Sequence, residues 1–284
     1  MTLLRTDGLT KRFGGLTAVD SVDFELAADE CCSLIGPNGA GKTTFFNLLT
    51  GTLSATEGRI EYRRGSERAD GSGGSSTAAG DTEGFRDVTD ASPDETARLG
   101  IHRSYQITNV FPTSTVLENV RIAAQAHGGA DGMRLWRNVN AFPEYEAEAR
   151  EILERVELLE HAESTAEALS HGQKRHLEVA IALAGDPDLL LLDEPTAGVS
   201  RDGVDRIVDL IDDVAADHAV LLVEHNMDVV MDVSDRIAVL HQGELIADGD
   251  PEAVRADPAV QRAYLGGYDE DEGDAGTETG VSEA

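Results

Sequence analysis

The sequence predicts an α/β fold: a mostly parallel sheet with flanking helices, plus an N-terminal antiparallel β-subdomain and an inserted helical subdomain. Three observations lead there. Two continuous apolar runs, residues 189–192 and 219–223, each end in acidic residues, as strands buried on both faces of a parallel sheet do. A third apolar run, residues 31–35, enters a glycine-rich turn and leaves it as a helix over residues 44–50. Residues 3–26 instead alternate apolar and polar positions and break at Phe13-Gly14-Gly15, the pattern of an antiparallel pair.

The turn is the chemical centre of the chain. Gly36-Pro37-Asn38-Gly39-Ala40-Gly41-Lys42-Thr43-Thr44 fits G-x-x-x-x-G-K-[ST], a phosphate-binding loop and the mark of a P-loop NTPase core. Its glycines let consecutive backbone N–H groups face one anion. Lys42 reaches β- and γ-phosphates, and the Thr43 hydroxyl is suited to Mg²⁺. The helix that follows points its N-terminal dipole at the phosphates.

Composition narrows the setting. The formal charge is −31, and only Lys11, Lys42 and Lys174 among 23 basic residues are lysine. Such an excess of carboxylates argues against nucleic acid or anionic lipid as partner. We read it as the surface of a protein working in multimolar salt, where self-repulsion is screened over roughly 3 Å at 1 M. No run approaches the ~18 apolar residues of a membrane span, and the N-terminus lacks a signal peptide's layout, so a soluble, cytoplasmic chain is expected. Cys31 and Cys32, adjacent on the strand before the loop, read as small apolar core residues.

In chain order, Phe13 is either a core residue or an exposed aromatic able to stack on a purine. Residues 58–63 and 85–89 read as a strand and its return, separated by a Gly/Ser-rich insertion over about 65–84 that is expected to be a disordered hairpin tip. Residues 93–99 form a short helix with Ser92 as N-cap and Pro93 at N1, and residues 101–106 a strand ending in Gln106. Apolar residues recur at three and four over 116–126 and 145–159, placing a helical subdomain at about 107–168. Ser170 caps a strong helix reaching Ala184, and Gly172 leaves amides bare at its start, either a second anion site or a simple capped helix.

At the end of the run 189–192, Asp193 is placed to hold Mg²⁺ with Thr43, and Glu194 to orient and deprotonate a water attacking the γ-phosphate. The second run ends in Glu224-His225, where His225 is a donor toward that phosphate or a surface histidine at a strand end. Residues 236–241 and 244–248 form a hairpin around Gln242-Gly243, residues 251–265 are helical, and the acidic tail, residues 268–284, is expected to be disordered.

Taken together, residues 2–267 resemble the ATP-binding subunit of ABC transporters. The set occurs in the family's order: the A-loop aromatic Phe13, the phosphate loop 36–44, the Q-loop Gln106, the signature Leu169-Ser170-His171-Gly172-Gln173, the Walker B strand 189–194 and the switch His225. The phrases at residues 13–19, 45–51, 197–200, 224–227 and 263–266 look like the branched-chain amino acid uptake group. A urea or short-amide importer of that group has similar phrases.

The resemblance implies two ATPase subunits closing head to tail on two ATP molecules. Phe13 then stacks on adenine, Lys42 and the loop of Gly36, Pro37, Asn38, Gly39, Ala40, Gly41, Thr43 and Thr44 hold the phosphates, the loop through the backbone N–H groups of its residues other than Pro37, and Thr43, Gln106 and Asp193 order Mg²⁺. Glu194 becomes the catalytic base and His225 the γ-phosphate sensor, while Ser170, Gly172 and Gln173 complete the opposite subunit's site. Implied partners are two membrane permease subunits, a sister ATPase or second copy of this chain, and, indirectly, an external solute-binding protein. Two departures stand out: His171 where glycine is commoner in the signature, and Ser200 where many members have the D-loop aspartate. An exporter ATPase shares every catalytic residue. A non-transport ATPase acting on DNA or ribosomes usually carries two ATPase halves or a long coiled coil, and neither pattern is in this sequence.

Overall fold

The computed structural model describes residues 1–64, 84–104, 110–127 and 143–265. The insertion expected at 65–84 falls almost wholly outside these residues, and Gln106 and the acidic tail fall entirely outside them. Two sheets organise the described chain. The first is antiparallel, in the order β2 (Leu16–Ala27), β1 (Thr2–Phe13), β4 (Glu57–Tyr62), β5 (Arg86–Asp87). The second has six strands in the order β10 (Glu244–Gly249), β9 (Arg236–His241), β3 (Cys31–Ile35), β8 (Ala219–Val223), β7 (Leu189–Asp193), β6 (Ile101–Ser104). Only β10 runs antiparallel in it, as the hairpin partner of β9.

The parallel strands are apolar throughout because both faces are covered, and the period-2 alternation of a strand sorts their side chains between two cores. Leu189 and Leu191 face one core with Phe45, Phe46, Leu48 and Leu49 of α1 (Lys42–Leu49) and the inner face of the antiparallel sheet. Leu190 and Leu192 face the other, with α5 (His171–Leu183), α6 (Arg201–Ala215) and the helical region made by α3 (Val116–His127) and α4 (Pro143–Arg155). Cys31 and Cys32 divide the same way, and both are buried free thiols.

Local signals set most helix ends. Ser92 and Glu95 form a capping box at α2 (Pro93–Arg98), with the Ser92 N–H donating to Glu95 Oε2 at 2.9 Å. Two ends differ from expectation. The helix predicted over 145–159 stops at Arg155: Glu157 takes a left-handed φ of 58°, which ends an α-helix, and Leu159 lies in a separate 3₁₀ turn. The helix predicted over 251–265 is two, α8 (Pro251–Ala256) and α9 (Pro258–Leu265). Pro258 forces Asp257 into the extended region at ψ 123°, so the first helix cannot run on.

Candidate nucleotide site

The strand order places three carboxyl ends side by side. β3 delivers the phosphate loop, β8 pairs with β3, and β7 pairs with β8 so that Asp193 stands opposite Val223. Residues far apart in sequence, 36–44, 193–194 and 224–225, therefore converge beyond the carboxyl ends of the parallel strands, where open α/β folds bind ligands.

Two glycines of the loop are demanded by space as well as by conformation. A Cβ on Gly36 would lie 2.1 Å from the Leu240 carbonyl oxygen, and one on Gly41 2.2 Å from that of Ala18. Gly41 also holds a φ of 109° as it caps α1. Lys42 is buried, and its Nζ donates to the carbonyls of Gly36 at 2.6 Å and Pro37 at 3.1 Å, which aims the ammonium across the loop. Burial pulls this ammonium below the ordinary lysine range, against the opposing fields of Glu194 and Asp193. Thr43 is exposed in the first turn of α1.

Asp193 closes β7 buried, and its Oδ2 accepts a hydrogen bond from Arg103 Nη2 at 2.5 Å. Glu194 follows in a left-handed conformation, φ 50°, with its N–H bonded to the Val223 carbonyl at 2.8 Å. Its Oε1 lies 2.8 Å from His225 Nε2, so two residues singled out separately form one acid–imidazole pair.

Beneath that pair lies Glu224, 4% exposed. Its Oε1 accepts from the Thr196 N–H at 2.9 Å and the Thr196 hydroxyl at 2.5 Å, while Oε2 accepts from the amides of His225 at 2.9 Å and Asn226 at 3.2 Å. This carboxylate pins the turn after β7 to the turn after β8. Sequence reading passed over it; the available signal was a carboxylate directly after an all-apolar strand.

Other expected site residues lie apart. Phe13 is 46% exposed at the end of β1, with Lys11 Nζ 5.1 Å from its ring centre, which excludes the core alternative. Ser170 caps α5: its Oγ accepts from Gln173 N at 3.3 Å, and its own N–H donates to Gln173 Oε1 at 2.9 Å. The Gln173 amide also meets His161 Nε2 at 2.7 Å. Ser170, His171, Gly172 and Gln173 line a depression of about 450 Å³ with Val199, Ser200 and Gly203; no phosphate-loop residue lines it.

Residues 19–197 match the family model for the ABC transporter, and residues 244–270 the model for the branched-chain amino acid ATP-binding cassette transporter. The chain is 38% identical over 270 residues to the high-affinity branched-chain amino acid transport ATP-binding protein LivG of Escherichia coli (strain K12), covering 93% of this chain and 98% of that one. It is 35% identical over 278 residues to a probable branched-chain amino acid transport ATP-binding protein LivG of Archaeoglobus fulgidus, covering 95% and 97%. Among solved structures, an ATP-binding cassette of an ABC transporter in its ADP conformation superposes with a TM-score of 0.78 at 30% identity, over 94% of this chain and 99% of the other. A nucleotide-free cassette gives 0.76 at 30% identity, over 93% and 99%.

Fold and site thus define an ATP-hydrolysing cassette. The chain belongs to the ABC transporter family, as an ATP-hydrolysing subunit similar to the branched-chain amino acid transport ATP-binding proteins.

Proposed function

We propose that this subunit powers uptake of branched-chain or closely related amino acids, from the cytoplasmic face of a membrane whose permeases it drives. The 38% identity to branched-chain amino acid transport ATP-binding proteins across nearly the whole chain carries this reading. Two such subunits close head to tail on two ATP molecules, the second being a further copy or a sister ATPase. Phe13 stacks on adenine, Lys42 and the backbone N–H groups that the 36–44 loop carries at every position but Pro37 hold the phosphates, and Ser170 and Gly172 reach the partner's nucleotide across the interface.

The donors fit Mg²⁺. A hard cation takes oxygen ligands and few protein carboxylates when phosphates supply the rest, and Thr43, Asp193 and Gln106 offer hydroxyl, carboxylate and amide oxygens. Among the described residues no cluster of three or more His, Cys, Asp or Glu side chains is suited to a metal. When bound, the ion neutralises charge on the phosphate oxygens. Glu194 accepts the proton of the attacking water, and His225, whose Nε2 lies 2.8 Å from Glu194 Oε1, turns its N–H toward the γ-phosphate when nucleotide binds.

A cleft of about 540 Å³ between α2, β6, α3 and α5 offers the seat for a permease segment. Val110, Ala123 and Ile181 give it an apolar wall, and Arg64, Arg98 and His102 line it together with the carboxylates of Asp94 and Glu178. No helix among the described residues is long and apolar enough to cross a membrane. The acidic surface supports work in concentrated salt, and a protein that stays folded and active in dilute buffer would remove that part of the reading.

The deciding experiment is purification from detergent-solubilised membranes in high salt. Two polytopic permeases and an external solute-binding protein are expected to accompany the chain, and ligand binding to that external protein names the solute. Recovery with ribosomes or DNA, or absence from membranes, removes the transport assignment to this solute class.

A further inference from the structure

We propose that Arg103 is a positioning residue of the metal site, setting the distance and orientation between Thr43 and Asp193. This rests on the reading above that those two side chains bind Mg²⁺. Arg103 stands on β6, beside β7, in register with Leu191, and 7% of its side chain is exposed, as is 7% of that of Asp193. Among the described residues, its guanidinium donates from Nη2 to Asp193 Oδ2 at 2.5 Å and from Nη1 to Asn47 Oδ1 at 2.7 Å. The plane lies near the Phe46 ring, 5.4 Å from its centre.

The geometry of these bonds joins the metal donors. Asn47 and Thr43 are four residues apart on α1, hence on the same face of that helix. One rigid, planar fork therefore ties the helix that carries the hydroxyl donor to the strand end that carries the carboxylate donor. Arg103 takes Oδ2, so the oxygen presented to a cation is Oδ1. Groups that hydrogen-bond a ligating carboxylate in this way fix its orientation, and losing them typically costs about 10- to 100-fold in metal affinity.

Arg103 also lines the cleft between β6 and α3. A segment seated there touches the residue that holds Asp193, which gives the cleft a direct mechanical connection to the cation, with one side chain between them.

The test is a Mn²⁺ titration of the full chain saturated with a non-hydrolysable ATP analogue, read by electron paramagnetic resonance of the free ion. Arg103→Lys keeps the charge but makes one point contact where the fork reaches both Asp193 and Asn47. It is expected to weaken Mn²⁺ binding about 10- to 100-fold. Affinity for the same nucleotide in chelator should hardly change, and ATP turnover should recover as Mn²⁺ is raised. Asn47→Ala, which leaves Asp193 paired, should weaken Mn²⁺ in the same direction and serves if the lysine variant does not fold. Unchanged or tighter Mn²⁺ binding in a folded variant overturns the proposal, tighter binding meaning that the guanidinium competes with the metal. Asp193→Asn separates the two levels. If it weakens Mn²⁺ while the Arg103 and Asn47 variants do not, only the role of Arg103 falls; if it has no effect, the metal reading falls with it.

Discussion

His225 Nε2 lies 2.8 Å from Glu194 Oε1, and both residues are carried on turns that the single carboxylate of Glu224 binds together. The pair is thus held from below by four hydrogen bonds to one buried side chain. Any change that loosens Glu224 should reach the chemistry indirectly.

Glu194→Gln retains the shape of the side chain and removes the proposed base. Nucleotide affinity is expected to persist, turnover to fall about 10²- to 10⁴-fold, and ATP-bound dimers to accumulate on size exclusion. Normal turnover would remove Glu194 from its role.

Glu224→Ala strips the acceptor from three amides and the Thr196 hydroxyl. Loss of partners for buried donors predicts destabilisation of about 3 kcal/mol or more, visible as a lowered denaturation midpoint, together with reduced turnover. Glu224→Gln should fall between, because its NH₂ must face either the donors of Thr196 or those of His225 and Asn226.

Ser170→Ala removes the N-cap of α5 and should cost about 1 kcal/mol. Its effect on function should be larger and of a different kind: nucleotide affinity of the isolated subunit unchanged, turnover of the assembled pair reduced. Equal loss in both measurements would place Ser170 in its own subunit's site.

The thiols give a pH test. Burial pushes Cys31 up to about 12 from 9.0, and Cys32 is raised further for the same reason. Alkylation by iodoacetamide at pH 8 should be negligible in the folded chain and rapid after unfolding. The sign of the stability effect follows from a folded-state value above the unfolded one. The contribution is complete below about pH 9 and is lost as pH rises toward 12, so denaturation midpoints should fall over that window.

What could be read from the sequence was local. The phosphate loop, the cap at Ser170 and the apolar strands with acidic ends are each written within a dozen residues, and each stands where the pattern put it. What could not be read depends on register between distant segments. Arg103 and Asp193 are 90 positions apart, and Thr196 and Glu224 are 28 apart, so neither pair has a sequence signature. Arg103 did leave a trace, a charge inside a short strand flanked by Ile101 and Ser104, which needs a buried partner. Phe13 was undecided because its exposure is fixed by the hairpin partner Leu16, not by its own neighbours. The early stop of α4 came from the backbone of Glu157, a residue whose composition gives no warning.

Glu194 occupies a backbone conformation that suits glycine or asparagine better than glutamate. Selection for heat resistance alone, in the absence of substrate, would therefore favour its replacement, since relaxing φ 50° at that position stabilises the chain while removing the proposed base. Libraries bred for thermal tolerance should drift toward inert cassettes at this codon unless catalysis is screened in every round.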